Sequence, residues 1–222
     1  MTPDQSYIEE TAEHIDRVGH YLGEFIDELM EASETPDAAV AQNIEAFAEE
    51  LEKRGLVHDA TKLRDPEKDG FMRHGVALKG LEYGSDEYKA QLVRLKPILD
   101  HHYSKNSHHP EHHKDGLAGM DLPDLIEMFA DWQAAGERHA TGNIAKSIDV
   151  NEKRFGMSPE MARVFRNTAK GKRPHRDVEV GGMNLTDLAI LFCEWIAGGR
   201  EPNVGQQLAA VFVSTKAAWG KE

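Results

Sequence analysis

The chain has 222 residues, 40% hydrophobic and 29% charged, which fits one large globular domain or one and a half small ones and excludes a mostly disordered protein. The net charge of −13 is concentrated in residues 1–57, where 15 acidic side chains face only Arg17, Lys53 and Arg54, and this argues against general nucleic-acid binding. A single cysteine, Cys193, excludes an internal disulfide and points to a reducing compartment, the cytoplasm. No apolar run reaches the roughly 18 residues of a membrane span, and the acidic start of the chain lacks the basic region of a signal peptide.

In chain order, residues 6–31 read as a helix on Ile8, Ile15, Val18, Leu22, Phe25 and Leu29. Residues 38–54 form a second on Val40, Ile44, Phe47 and Leu51, with Gly55 placed as its C-cap. A short element then carries His58-Asp59-Ala60-Thr61-Lys62 between turns at Asp65-Pro66 and Asp69-Gly70. Helical pattern follows at 71–82 and from Ser85 to about Tyr103, with Pro97 as a potential kink. A histidine-rich loop runs from His101 to about Gly119. Helices are expected again at 122–138, 143–154, 158–169, 185–198 and 203–219, and only Asp177–Val180 hints at a strand. The fold class is all-α, read as a helical domain over residues 1–170 with a helical extension at 171–222 packed on it. Met120–Gly136 and Met183–Gly199 share 8 of 17 residues, which fits either a duplication or two helices with similar caps and packing.

Histidine is the unusual residue: of twelve, six lie between positions 101 and 113. Adjacent His58 and Asp59 can bind one divalent metal if the backbone at a helix end turns both inward. With a histidine on an upstream helix and an aspartate on a downstream one, this pattern resembles the HD superfamily of metal-dependent phosphohydrolases. His14 and His20 are the upstream candidates and Asp131 the downstream one. On a helical wheel His14 falls about 75° from the centre of the apolar stripe and His20 about 165° away, so His14 can reach a buried site. In the 85–103 helix, Tyr88, Leu92, Leu95 and Leu99 define a stripe from which His102 lies about 35° and His101 about 135°. His102 is the better inward ligand. A turn through Lys105-Asn106-Ser107, with Asn106 in a left-handed conformation, can return His109 toward it. Asp131 points about 140° from Leu125, Phe129 and Trp132, toward either a polar cavity or solvent.

The segments HIDRVGHYL, HDATKL, PEKDGF, YGSDEYKAQL, HHYSKNSHHPEHH, DLIEMFADWQAAGERH, SIDVNEKRF and FRNTAKGK resemble a family of uncharacterised HD-like proteins from phages and bacteria, over about residues 8–170. The resemblance implies an HD-domain-like helical bundle with a buried divalent-metal site, held by His14, His58, Asp59 and Asp131. One or two ions of manganese, iron, zinc, nickel or cobalt suit such ligands. His102 and His109 are the expected ligands of a second position.

Further residues suit an anionic ligand. Lys62 lies one helical turn beyond Asp59, Arg138 two turns beyond Asp131, and Ser147, Asn151 and Arg154 share a face. Asn106 joins this substrate-binding set. Lys62, Asp59 and Glu67 are the catalytic candidates, Glu67 as a general acid or base. The basic stretch Arg163–Arg176 reads as a solvated face. The leading expectation is a metal-dependent phosphohydrolase acting on a nucleotide or related small phosphate ester. The alternatives are an HD-type di-iron oxygenase and a non-enzymatic phage or host interaction protein on the same scaffold. Homo-oligomerisation is left open.

Overall fold

Val18, Leu22, Phe25 and Leu29 are buried along α1 (Pro3–Ala32), and Val40, Ile44, Phe47 and Leu51 along α2 (Ala38–Val57). Both sets follow the helical period, so each helix has one apolar stripe, and the two helices pack on each other. Asp37 caps α2 by accepting hydrogen bonds from the backbone N–H groups of Ala39 and Val40. Gly55 is not the C-cap that its position suggested. The helix continues to Val57, and a Cβ at Gly55 would stand 3.4 Å from the Cα of Gly19 and from Leu22. The glycine serves the α1–α2 crossing instead.

The computed structural model describes residues 2–32, 37–75, 81, 85–137, 143–171 and 180–199. Among them all regular structure is helical, in agreement with the all-α expectation. After α2 come a 3-10 turn (Ala60–Leu63), α3 (Glu67–Gly70), a π-helical turn (Phe71–Gly75) and α4 (Asp86–Lys105). Pro97 is accommodated inside α4, which carries His101 and His102 as the expected helix to about Tyr103 did and ends at Lys105, so the loop expected from His101 starts later. Short 3-10 turns at Pro110–His112 and Gly116–Gly119 lead to α5 (Leu122–Glu137). Then follow α6 (Ile144–Phe155), α7 (Pro159–Ala169), a 3-10 turn (Val180–Gly182) and α8 (Leu185–Ala197). Asn143, Ser158 and Asn184 cap the last three helices through side-chain oxygens. The helix expected at 203–219, the end of the 71–82 segment and most of Asp177–Val180 lie outside the described residues.

α5 sits deepest. Leu122 to Ala130 are buried on every side, including Asp124 and Glu127, and Phe129 stacks on Phe165 of α7 at 5.3 Å between centroids. A helix enclosed all round carries its carboxylates into the interior, where they persist only with partners. α8 packs on α1 and α2 and shares their hydrophobic core. Among the described residues no helix is long and apolar enough to cross a membrane.

Candidate metal centre

The site begins where α2 stops. His58 leaves helical geometry at φ −48, ψ 126, and Asp59 then adopts the left-handed conformation at φ 51, ψ 14. It is the one non-glycine with positive φ among the described residues. Aspartate tolerates this region better than most residues because its short polar side chain bonds locally. The reversal turns both neighbours inward: His58 is 2% exposed and Asp59 1%.

Two helices complete a first group. His14 of α1 is 2% exposed, and its Nε2 lies 2.9 Å from Asp131 Oδ1 of α5 and 3.7 Å from Asp59 Oδ2. His58 Nε2 lies 3.5 Å from Asp59 Oδ2 and 3.9 Å from Asp131 Oδ1. His20 instead leaves 67% of its side chain in solvent beside Glu24, so the wheel separated the two upstream histidines correctly.

A second group meets the other oxygen of Asp59. His102 Nε2 is 3.2 Å from Asp59 Oδ1, His108 Nε2 is 3.7 Å from it, and His109 Nε2 is 2.9 Å from His102 Nε2. Asp59 thus presents Oδ2 to His14 and His58, and Oδ1 to His102 and His108. His101 lies on the outer side of α4, 37% exposed.

The outer ring nitrogens are tied down. His58 Nδ1 donates to Glu127 Oε1 at 2.8 Å, and His108 Nδ1 approaches the same oxygen at 3.1 Å. His102 Nδ1 donates to Glu67 Oε2 at 2.9 Å. An ionised carboxylate only accepts, so each Nδ1 carries the proton and each Nε2 presents a lone pair to the cluster. His58 Nε2, His108 Nε2 and Asp59 Oδ1 are buried without a hydrogen-bond partner. Leaving such an atom unsatisfied costs about 1–3 kcal/mol, and these three, His58 Nε2 in the first group and His108 Nε2 with Asp59 Oδ1 in the second, fit sites for a cation. The groups His14–His58–Asp59 and Asp59–His102–His108–His109 each gather ligand atoms closely enough to hold a metal ion. Imidazole and carboxylate donors suit a divalent ion.

The charges agree. Burial works against ionising Asp59, but Lys62, then His58, His108 and His102 outweigh it and hold the carboxyl well below its ordinary range. Burial also opposes the charge on Asp131, and the His14 hydrogen bond and nearby His58 overcome it. Burial, followed by His108, pushes His109 down to about 2, and burial with Lys62 lowers His102, the direction that ligation by a neutral ring requires, whereas at His108 burial is outweighed by the hydrogen bond to Glu127, which raises the pKa.

The other expected site residues divide. Lys62 reaches the cluster, its Nζ 2.5 Å from Asp59 Oδ2 and 5.7 Å from the Phe71 ring centre. Glu67 lies on α3 rather than in a loop, is 0% exposed, and accepts from His101, His102 and Thr61. With both oxygens engaged, it is built to orient rings rather than to carry a proton. Asn106 is buried and donates to Thr61 Oγ1 and the His102 carbonyl, bracing the turn, and it does not take the left-handed conformation expected of it. The contacts of Ser147 and Arg154 run to the Asn143 carbonyl and to Glu111 rather than to the cluster. Asn151 is half-buried on α6, and Arg138 lies outside the described residues.

Three residues escaped the sequence reading: His108, Glu127 and Arg54. Glu127 had a signal. In the match between Met120–Gly136 and Met183–Gly199 it aligns with Ile190, so a carboxylate occupies a position its twin fills with an apolar side chain. His108 had no signal to separate it from its neighbour His109. Arg54 donates to Asp124 at 2.7 Å and to Glu127 Oε2 at 3.2 Å, and only these contacts set it apart from other helix-end arginines.

These features define a helical protein with a buried histidine–carboxylate cluster that could hold a metal ion. The chain belongs to the family of unknown function DUF5662, whose model matches residues 4–171 and so spans the whole cluster. No curated protein and no solved structure matches the chain.

Proposed function

We propose that the protein is an HD-type metal-dependent phosphohydrolase acting on a nucleotide or related small phosphate ester, in the cytoplasm. The observation that carries this reading is Asp59, whose two oxygens face two separate histidine groups while Lys62 stands beside them at the edge of the solvent. A divalent ion held there would supply an activated water and polarise a phosphoryl oxygen. His14, His58, Asp59 and Asp131 form the first ligand set, and Asp59, His102, His108 and His109 the second. Lys62 carries a compact, strongly hydrated charge suited to a phosphoryl oxygen and offsets negative charge as the phosphate reacts. Glu67 and Glu127 hold the rings in the required tautomer. Metal analysis of the purified protein, followed by phosphate-release assays over a nucleotide panel, tests the reading. Bound manganese, iron, zinc, nickel or cobalt with metal-dependent release of phosphate supports it. A metal-free protein without such activity overturns it.

The second group offers three imidazoles to one carboxylate, and this nitrogen-rich set favours one rival, an oxygen-activating di-iron enzyme. Two tightly bound irons with visible absorption, and no phosphate release, would select that rival.

A further inference from the structure

His58 belongs to the first ligand group and His108 to the second, yet both rings turn their Nδ1 atoms to one oxygen, Glu127 Oε1. Their ring centroids lie 4.4 Å apart, so the two imidazoles lean on each other as well as on the carboxylate. The other oxygen of Glu127 receives Arg54, which also binds Asp124 and comes within 3.4 Å of Ser107 Oγ, next to His108 in sequence. Glu127 is 5% exposed and the Arg54 side chain 17%, so solvent screens this chain of contacts little. Arg54, the last basic residue of α2, therefore reaches across the molecule to the carboxylate that orients a ring in each group.

His58, His108 and Glu127 also gather closely enough to suggest an ion position of their own. The atoms that face Glu127 are the protonated Nδ1 nitrogens, and its remaining oxygen is engaged by Arg54. No set of lone pairs converges there, and hydrogen bonding accounts for the cluster.

Glu67 is the informative contrast. It accepts from His102 and His101, and of these only His102 stands in a ligand group. Its influence is confined to the second position.

We propose that Glu127, clamped by Arg54, is a shared positioning residue that sets the affinity of both metal positions together, whereas Glu67 sets that of the second alone. This rests on the two-group metal centre proposed above. Loss of Glu127 frees His58 and His108 to rotate and to exchange tautomers, so each group loses a preoriented donor. Loss of an orienting partner of this kind typically weakens metal binding about 10–100-fold.

The test is a titration of the metal-free full-length protein with Co2+, followed by visible absorption, for wild type and for Glu127→Leu, Glu127→Gln, Glu67→Gln and Arg54→Met. Thermal unfolding of the metal-free forms identifies variants that retain the fold. Wild type is expected to take up two ions. Glu127→Leu weakens both about 10–100-fold, and Glu127→Gln, which keeps a neutral acceptor oxygen, falls between it and wild type. Glu67→Gln weakens one of the two, and Arg54→Met weakens both by less than Glu127→Leu does. If Glu127→Leu does not fold, the Gln and Arg54 variants carry the same comparison. Two ions in wild type with a Glu127 effect on one position, or on neither, overturns the shared role and leaves the functional reading standing. Uptake of a single ion by wild type also overturns it, and no uptake at all removes the functional reading with it.

Discussion

A Cβ placed on Gly55 would lie 3.4 Å from the Cα of Gly19, so α1 and α2 cross nearly backbone to backbone. The crossing lies about one and a half turns beyond His14 on α1 and three residues before His58, and it brings those rings to 5.5 Å between centroids.

A larger side chain at this crossing is expected to separate the helices. Gly55→Leu should destabilise by about 1–3 kcal/mol through overpacking and lower metal uptake. Gly55→Ala meets its neighbours at ordinary contact distance, and the alanine preference of a helix interior is worth about 1 kcal/mol, so it should be neutral or mildly stabilising. Urea unfolding of the metal-free variants measures both, and equal destabilisation by Ala and Leu would refute the account of the crossing.

His58→Ala and Asp59→Ala should each reduce bound metal while leaving far-ultraviolet circular dichroism close to wild type, because the apolar stripes of α1, α2 and α5 lie elsewhere. His20→Ala, on the solvent face of α1, should bind as wild type does. Metal content by mass spectrometry decides, and unchanged stoichiometry in the Asp59 variant would remove the shared ligand from the scheme.

Much of this was legible in the sequence because burial leaves a periodic trace. The α1 stripe separated His14 from His20, and the α4 wheel separated His102 from His101 although of its stripe Leu95 is buried and Leu92 is exposed. The Gly55 expectation failed because a glycine late in a helix fits a cap and a helix crossing equally well, and only the partner helix distinguishes them. The start of the tract was misplaced because histidine is a poor marker of helix ends: α4 runs on to Lys105. Asp59 gave no sign of its left-handed backbone, which is imposed by the inward turn of its own chain. The partners of Glu127 lie 69, 19 and 73 residues away, on His58, His108 and Arg54, and local pattern carries no trace of them.

Lys62→Ala should slow phosphate release by roughly 10²-fold, the scale of losing one charge-stabilising donor, with a much smaller change in metal occupancy. Parallel kinetics and metal analysis separate the two effects. Rates equal to wild type would take Lys62 out of the mechanism.

Acid should destabilise the metal-free protein through Glu127. Burial would raise its pKa, but hydrogen bonds from His108 and His58 outweigh this and lower it from 4.5 to about 2. A carboxylate with a depressed folded-state pKa contributes stability that is fully present above its unfolded value and lost as pH falls through the folded one. The contribution should therefore fade between about pH 4.5 and about pH 2. Unfolding free energies across that window should fall less steeply in Glu127→Gln than in wild type, and identical slopes would refute the assignment.

The position of Asp59 between two histidine groups can be examined directly by an anomalous-scattering map from crystals grown with a divalent transition metal. Two peaks are expected, each about 2 Å from an oxygen of Asp59. One should lie beside His14, His58 and Asp131, and the other beside His102, His108 and His109. A lone peak away from Asp59, or no peak at all, would contradict the account.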